Sequence, residues 1–313
     1  MVIAMRDFRF SSNIFGVTSA DAFADRCRQI ERLGYNTVFA PDHLGAPAPF
    51  PLLIAAAEST ERLRVGTLVV NVCFWNPALL AREAATADIL TNGRFELGLG
   101  AGHMKWEFDQ AGIAWEPFSA RADRLAATIR ELERSFGKDL QELPGGRSPR
   151  PVQRRGFNRS GPPLIVGGTG NRILEIAAEH ADVVAIAGAY QVKGKPPGTL
   201  RLATAAEADE RIRFVRARAG ERSTEIEWHV LIQMVVQTDN RLATAKELSG
   251  ELGTDFTVDA ALETPFLLFG TVEEMAKQLV RNRTRYGFSY ITVHEPYLEA
   301  FAPVIEYLRA ESR

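Results

Sequence analysis

The chain has 313 residues, of which 46% are apolar and 24% charged, a composition typical of a folded protein that buries a large core without metals or disulfides. Lys and Arg total 37 against 39 Asp and Glu, a net charge of −2, which argues against a nucleic-acid-binding protein because such proteins carry a basic excess. The two cysteines cannot form a disulfide framework or a cysteine-rich zinc site. No apolar run approaches the roughly 20 residues that cross a bilayer, and the first residues lack a secretion signal. We therefore expect a cytoplasmic enzyme that acts on a small molecule and binds neither nucleic acid nor membrane.

The first half of the chain alternates short β-rich segments with longer amphipathic ones. A helix is predicted to start near Ser19, which can cap it, and to stop at Gly34. Two further helices have a proline in the first turn, one at Pro51 and one after the cap Asn76, and the second runs to about Leu90. The strands predicted in this half are residues 8–15, 36–40, 64–71 and 94–99.

The second half repeats this pattern with longer connections. Helices are expected at residues 119–136, 171–180, 204–219, within 239–250, at 271–286 and from about 298 onward. Strands are expected at residues 163–166, 182–187, 225–236 and 288–293. Three segments, 137–162, 188–203 and 250–265, are interpreted as loops with some local helix, and long loops in a compact domain are often functional.

Eight strand–helix units follow one another without a composition break that would mark a linker. Strands that alternate with helices indicate a parallel sheet. Eight such units in this length fit a closed barrel better than an open sheet. The sequence therefore predicts a single α/β domain over residues 1–313, a (β/α)8 TIM barrel with insertion loops. An open, doubly wound sheet is the alternative.

Several familiar motifs are missing. The chain has no Walker A Gly-Lys-Ser/Thr, no His-Glu-x-x-His and no Gly-x-Ser-x-Gly. The run Gly-Leu-Gly-Ala-Gly at 98–102 resembles a dinucleotide fingerprint, but its spacing fails at His103 and it leads into a predicted loop. The histidines, cysteines and scattered carboxylates form no metal motif, so no metal site is predicted.

Polar residues follow several predicted strands at their carboxyl ends, where TIM barrels have their active sites. Asp42 and His43 follow the second strand, Asn71 ends the third, His103 follows the fourth and His294 the eighth. Because imidazole titrates near neutral pH, His43 and His103 are candidates for proton transfer or for polarising a substrate. Taken singly, each histidine could equally hydrogen bond to the nearby backbone. The clustering of both at one face of the barrel favours an active site.

The residues Gly167, Gly168, Thr169 and Gly170 follow the fifth strand and precede a helix. Glycines let the backbone approach a ligand closely, and a helix N-terminus presents free N–H groups and the positive end of its dipole. The pattern therefore favours a cradle for an anion such as phosphate. A tight strand-to-helix turn is the alternative, although it explains one glycine better than three in four residues.

A run of arginines without any acidic residue among them lies in the insertion at 137–162: Arg147, Arg150, Arg154, Arg155 and Arg159. In an otherwise acidic-leaning protein, this patch would attract the polyanionic tail of a ligand over the barrel mouth. A solvated loop is the alternative interpretation.

Five segments match a known family in the right order along nearly the whole chain. They are Tyr-Asn-Thr-Val-Phe-Ala-Pro-Asp-His at 35–43, Asn-Pro-Ala-Leu-Leu-Ala-Arg-Glu at 76–83, Asn-Gly-Arg-Phe-Glu-Leu-Gly-Leu-Gly-Ala-Gly at 92–102, Pro-Leu-Ile-Val-Gly-Gly at 163–168 and Gly-Thr-Val-Glu-Glu at 270–274. With these segments the sequence resembles the bacterial luciferase-like monooxygenase superfamily, particularly its coenzyme F420-dependent oxidoreductase branch. The segment at 92–102 is the most specific.

The resemblance implies a TIM barrel that binds coenzyme F420, or alternatively FMN, at its C-terminal face. Asp42 and His43 match an Asp-His pair of related sugar-phosphate dehydrogenases, in which the histidine lies beside the ring. The turn at 167–170 matches the family's phosphate-binding turn. Residues from Thr67 to Asn71 match the segment that supports the ring, often through a non-prolyl cis peptide bond.

The resemblance also has a departure, because the dehydrogenases have a catalytic Glu where this chain has His103. A different substrate is therefore implied, and homodimerisation is expected from the family. The leading hypothesis is an F420-dependent oxidoreductase that transfers a hydride between the deazaflavin and a small organic substrate, with His43 and His103 catalytic. Asp42, His43, Thr67, Asn71 and the turn at 167–170 would bind the cofactor. The alternative is an FMN-dependent monooxygenase that uses reduced flavin and O2, and a third reading is a barrel that binds flavin without turnover.

Overall fold

Eight parallel strands close into a ring in the computed structural model, which describes residues 6–136, 161–252 and 256–311. The first strand pairs with both the second and the eighth, and Val65 pairs with Phe95 to join the third strand to the fourth. The TIM barrel prediction is confirmed, and the open sheet is wrong. The barrel strands are Arg9–Asn13, Thr37–Ala40, Arg64–Thr67 with Val70–Asn71, Phe95–Gly100, Leu164–Gly167, Val183–Ile186, Glu227–Ile232 and Phe288–His294.

Several helices begin where a side chain satisfies one of their first free N–H groups. Ser19 accepts a hydrogen bond from the amide of Ala22, and Asn76 accepts from Ala78, as predicted for these two caps. Among the described residues, none of the helices is long and apolar enough to cross a membrane. The α-helices are Ala20–Arg32, Pro49–Glu58, Pro77–Leu90, Lys105–Ala111, Phe118–Phe136, Asn171–His180, Ala205–Ala219, Arg241–Leu252, Val258–Glu263, Val272–Tyr286 and Leu298–Glu311, and the 3-10 helices are Val72–Phe74, Gly220–Thr224 and Glu295–Tyr297.

The third strand is interrupted, although the sequence predicted it as continuous over 64–71. It divides into Arg64–Thr67 and Val70–Asn71, around a cis peptide bond between Leu68 and Val69. Its apolar, β-branched composition continues through the break, so composition alone does not locate the interruption. The family resemblance anticipated a non-prolyl cis bond in this segment without its position.

Pairing outside the ring also differs from the prediction. The insertion at 188–203 contains a β-hairpin rather than local helix, since Ala189–Gln191 pairs antiparallel with Leu200–Leu202. The strand expected at 225–236 ends early, and Met234–Gln237 pairs outside the ring with the unpredicted strand Leu267–Gly270. The strands Met234–Gln237 and Leu267–Gly270 are distant in sequence, and local periodicity does not report such pairing. The hairpin is local, but its strands of three residues are too short to show an alternating pattern.

A buried carboxylate, Glu96, joins its own strand to three others at the amino-terminal end of the barrel. Glu96 is 1% exposed and accepts hydrogen bonds from Arg64 Nε at 2.5 Å and from the Tyr290 hydroxyl at 3.0 Å. Arg9 adds an ion pair to the same carboxylate. Burial first, and then the charge of Glu96, raise the pKa of Tyr290 well above its ordinary value, so this hydroxyl stays a donor. Paired charges therefore close this end of the barrel.

Candidate functional site

The candidate site residues lie at the carboxyl end of the barrel. In a parallel ring the carboxyl ends of all strands lie at one rim. Asp42 and His43 follow the second strand, Asn71 ends the third, His103 follows the fourth and Gly167 ends the fifth. The structure therefore brings the two imidazoles and the glycine turn to the same rim.

His43 hydrogen bonds to a buried carboxylate that follows the fourth strand and for which the sequence predicted no role. Its Nδ1 atom lies 2.7 Å from Oε1 of Glu107. The side chain of Glu107 is 3% exposed and that of His43 is 34% exposed, so the imidazole joins a buried anchor to the open mouth. Glu107 stands in the first turn of the short helix Lys105–Ala111, which was also not predicted. The two residues are 64 positions apart, and no sequence signal links them.

His103 lies against His43 with its ring edge-on. The ring centroids are 5.6 Å apart and the ring planes are inclined by 83°. His103 is exposed at the mouth. Even so, the surrounding protein removes enough water to lower the pKa of its imidazole below the ordinary value, and repulsion from His43 acts in the same direction. His103 is therefore neutral at neutral pH and able to accept a proton.

Asp42 holds the second and third strands together at the rim. Its Oδ2 atom accepts hydrogen bonds from the amide of Asn71 at 3.2 Å and from Nε1 of Trp75 at 2.9 Å. Burial raises the pKa of Asp42, and these two donors oppose that rise. Asp42 therefore fixes the local backbone and the position of the Trp75 ring.

The other two third-strand candidates differ in their available atoms. The hydroxyl of Thr67 both donates to the carbonyl of Gly98 at 2.9 Å and accepts from its amide at 2.8 Å, so it is engaged inside the barrel wall. In Asn71, Oδ1 accepts from the amide of Cys73 at 3.1 Å, whereas the buried Nδ2 has no partner among the described residues. Asn71 thus offers a donor to a ligand. A role for Thr67 in cofactor binding stays a prediction.

The glycine turn serves packing at one position and leaves a helix end open at the next. The amide of Gly168 donates to the carbonyl of Ala185 at 3.2 Å, and a Cβ on Gly168 would lie 2.6 Å from Cγ2 of Ile173. Close helix–strand contact therefore requires a glycine there. Gly170 is the N-cap of helix Asn171–His180, and no side chain caps the first free amides of this helix. Those amides are available to an anion.

Arg211 lies beside this turn and was not predicted. Its Nη1 atom donates to the carbonyl of Thr169 at 3.4 Å and to the side chain of Asn171. Its side chain is 11% exposed, and its buried Nε has no partner among the described residues. The predicted arginine patch from Arg147 to Arg159 lies outside the described residues. Arg211, which also forms an ion pair with Glu210, is thus a described cation beside the helix end, as is Arg172 in the first turn of the helix.

Two buried polar atoms at the rim have no hydrogen-bond partner among the described residues, and they indicate whether a ring rich in nitrogen and oxygen fits there. Besides Asn71 Nδ2, the buried Oδ1 of Asn13 has no partner within the described ranges. Asn13 ends the first strand, opposite His294 of the eighth. Buried polar atoms are normally hydrogen-bonded, so an unpaired donor and an unpaired acceptor at a barrel mouth fit a flavin or deazaflavin ring.

The remaining histidines have other surroundings. His294 lies at the rim, with Nε2 3.4 Å from Oε1 of Gln233, and burial lowers the pKa of its imidazole. His229 lies inside the barrel, with Nε2 2.6 Å from the hydroxyl of Thr292. In the part of the chain that the structure describes, no three His, Cys, Asp or Glu side chains are grouped so that they could hold a metal ion.

Comparison with known proteins identifies one family model. The model described as luciferase-like monooxygenase matches residues 8–289. This match includes the first seven barrel strands and the start of the eighth. It also includes all candidate site residues named above except His294.

Individual relatives differ in the cofactor that their names give. The chain is 33% identical over 147 residues to an F420-dependent glucose-6-phosphate dehydrogenase of Amycolatopsis mediterranei, covering 44% of this chain and 43% of the relative. It is 29% identical over 126 residues to the oxygenase component of a flavin-dependent trigonelline monooxygenase of Acinetobacter baylyi, covering 39% and 35%. The chain thus matches less than half the length of these relatives.

A solved structure shares the fold. The coenzyme F420-dependent tetrahydromethanopterin reductase of Methanopyrus kandleri superimposes with a TM-score of 0.71 at 15% identity, over 98% of this chain and 100% of the other. At this identity the likeness shows the barrel alone.

Proposed function

Because the chain belongs to the luciferase-like monooxygenase family, we propose that it is an F420-dependent oxidoreductase that transfers a hydride between the deazaflavin and a small organic substrate. The observation that carries the proposal is the pair of imidazoles at the C-terminal mouth, with ring centroids 5.6 Å apart. They share their rim with an uncapped helix N-terminus that suits the phosphate of the cofactor. A relative named as F420-dependent supports this cofactor.

The chain's own residues provide position and proton handling. Bound deazaflavin supplies a hydride donor or acceptor, and the mouth holds the ring and the substrate in contact. His43 accepts a proton at Nε2 and can return it there, since Nδ1 is engaged by Glu107. His103, whose pKa lies below the ordinary value, is neutral at neutral pH and offers a bare ring nitrogen as a base. Asn13 and Asn71 offer hydrogen bonds to ring heteroatoms.

The phosphate of the cofactor would lie at the start of helix Asn171–His180. Its free amides and Gly170 form the cradle, and Arg211 adds a positive charge beside Thr169. The glycine turn is thus proposed to bind phosphate mainly beyond Gly168, whose amide already donates to Ala185. The arginine patch predicted at 147–159 would attract the anionic tail.

An FMN-dependent monooxygenase is the second candidate function. It is favoured by the relative named as a flavin-dependent monooxygenase, and the same cradle suits the FMN phosphate. The two functions differ in their reaction with oxygen, because reduced deazaflavin reacts poorly with O2 whereas reduced FMN reacts readily.

Oxygen uptake tests the proposal. We expect that the protein does not raise the rate at which reduced FMN consumes oxygen, and that it binds reduced F420 without oxygen uptake. Protein-dependent oxygen consumption with reduced FMN would instead establish the monooxygenase.

Variants of the two imidazoles separate an enzyme from a barrel that merely binds flavin. His43→Ala and His103→Ala are each expected to lower turnover by about 10²–10⁴-fold, the usual contribution of a general acid or base. Cofactor affinity should stay close to that of the wild type in at least one of them. Full activity in both variants would remove the catalytic assignment.

A further inference from the structure

The carboxylate of Glu107 is buried and hydrogen bonds to one imidazole. Glu107 is 2% exposed, and His43 is the hydrogen-bond partner of its side chain among the described residues. A buried carboxylate is stable as an anion only when a donor faces it.

The contact determines which ring nitrogen of His43 carries the proton. An ionised carboxylate only accepts hydrogen bonds, so Nδ1, 2.7 Å from Oε1, must carry a hydrogen. In the neutral imidazole the other nitrogen, Nε2, is then bare. This is the opposite of the tautomer that prevails for neutral histidine in water. No side chain of the described residues hydrogen bonds to Nε2, and His43 keeps 34% of its side-chain surface exposed at the mouth.

We propose that Glu107 is a positioning residue that holds His43 as the Nδ1–H tautomer and aligns its ring, so that Nε2 is the proton-accepting atom of the site. This inference rests on the proposed function only for its consequence in turnover. The tautomer itself is a property of the cofactor-free protein. The edge-on contact with His103 restrains the ring from a second side.

A second histidine–glutamate pair provides a matched comparison. Nδ1 of His180 also lies 2.7 Å from a glutamate oxygen, that of Glu133. The side chain of Glu133 is 49% exposed, so water competes for this contact. Both pairs have the same distance, but only the pair at the mouth has a buried carboxylate. Replacement of Glu133 therefore serves as a control for the loss of a histidine–glutamate contact away from the mouth.

Nitrogen-15 spectra of the imidazole rings test the proposal directly. The chain has five histidines, and His43→Gln identifies the signals of His43. In cofactor-free wild type at about pH 8, above the usual imidazole pKa of about 6.5, we expect a protonated Nδ1 and a bare Nε2 in His43. A neutral His43 ring in the wild type with its proton on Nε2 and a bare Nδ1 would overturn the proposal without any variant.

Two replacements of Glu107 extend the test. Glu107→Leu removes the acceptor and should move the proton of His43 to Nε2, whereas Glu107→Gln keeps an oxygen that accepts from Nδ1 and should preserve the tautomer. Glu133→Leu should leave the signals of His43 unchanged. An unchanged tautomer in folded Glu107→Leu, or the same change in Glu133→Leu, would contradict the proposal.

Turnover provides the second readout. Glu107→Leu should lower kcat, and the loss should not exceed the roughly 10²–10⁴-fold contribution of His43, the base that Glu107 positions. The affinity for F420 should stay unchanged. Glu107→Gln should recover most of the lost kcat. If F420 does not bind at all, the proposed function fails while the tautomer measurement still decides the role of Glu107. If Glu107→Leu and Glu107→Gln lose activity equally, positioning through Nδ1 is wrong.

Discussion

Several buried polar side chains of the described residues keep an unpaired atom, and two of these atoms lie at the barrel mouth. At the amino-terminal end, Glu96 is surrounded by two arginines and the Tyr290 hydroxyl. At the mouth, Asn13 and Asn71 each keep one buried polar atom without a partner in the described residues. An unpaired buried polar group costs about 1–3 kcal/mol. The unpaired atoms at the mouth therefore lower the free energy of unfolding of the ligand-free protein, and a ligand with complementary atoms can offset this loss.

The site residues that follow strands could be predicted from the sequence, because the topology of a parallel barrel determines where strand ends lie. His43, His103 and the glycine turn follow strands, and a parallel barrel brings strand ends together whatever the details of packing. Glu107 and Arg211 were missed because their roles depend on contacts with residues 64 and 42 positions away. Such contacts are set by packing and leave no local pattern.

His229 should make the stability of the protein depend on pH. Burial, and then the charge of Arg9, lower the pKa of its imidazole to about 3. The unfolded state binds a proton near pH 6.5 and the folded state does not, so stability is fully present above pH 6.5 and is lost as the pH falls. Between pH 7 and pH 5 this single group should remove about 2 kcal/mol from the free energy of unfolding.

Urea titrations at the two pH values check this effect. His229→Phe has no titratable group and should lose about 2 kcal/mol less than the wild type on acidification, even though loss of the contact with Thr292 lowers its stability at pH 7. Equal losses in the two proteins would show that His229 does not titrate as described.

Gly168→Ala should destabilise the cofactor-free protein by about 1–3 kcal/mol, because the new Cβ would lie 2.6 Å from Cγ2 of Ile173. Gly167→Ala is the matched control, since its Cβ would meet nothing closer than 3.5 Å. That variant should be unchanged or up to about 1 kcal/mol more stable, through the unfolded state. Denaturant unfolding of both proteins measures the difference, and equal stability would contradict the packing argument.

Individual helices were predicted well and strand pairing less well, for a physical reason. Helix Asn171–His180 has its predicted bounds because the glycines before it and the histidine at its end are local signals. The strand Leu267–Gly270 was missed because its partner Met234–Gln237 is distant in sequence. The hairpin Ala189–Gln191 with Leu200–Leu202 is local, but strands of three residues are too short to show an alternating pattern. Helix signals are local, whereas pairing is decided by the whole fold.

The helix Val272–Tyr286 offers a test of local capping. The hydroxyl of Thr271 accepts from the amide of Glu274 at 3.3 Å, and the Glu274 carboxylate accepts from the amide of Thr271 at 2.9 Å. Thr271→Ala should lower the free energy of unfolding by about 1 kcal/mol. Thr284→Ala, on an exposed position of the same helix, should change it by less than about 0.5 kcal/mol. Thermal and urea unfolding check the pair, and equal effects would exclude a capping role.

On the scale of the whole molecule, the barrel separates stability from binding along its axis. Ion pairs close one end, while loops and a free helix N-terminus shape the other. The family has members named for F420 and members named for flavin chemistry, so the barrel itself does not fix the cofactor. The residues at the mouth determine which cofactor binds.

We expect a homodimer in solution, as the family resemblance implies. Leu79 and Leu90, on helix Pro77–Leu90, are 48% and 49% exposed, and exposed apolar side chains are compatible with a subunit contact. Light scattering after gel filtration should give a mass near twice the 34.6 kDa of the chain. A mass equal to that of one chain at all protein concentrations would contradict the expectation.

Equilibrium titration of the cofactor-free protein with F420 and with FMN tests the central claim most directly. The account predicts saturable binding of F420 that is tighter than that of FMN, weakened when Arg211 beside the cradle is replaced in Arg211→Met. Absence of saturable F420 binding, or tighter binding of FMN, would contradict it.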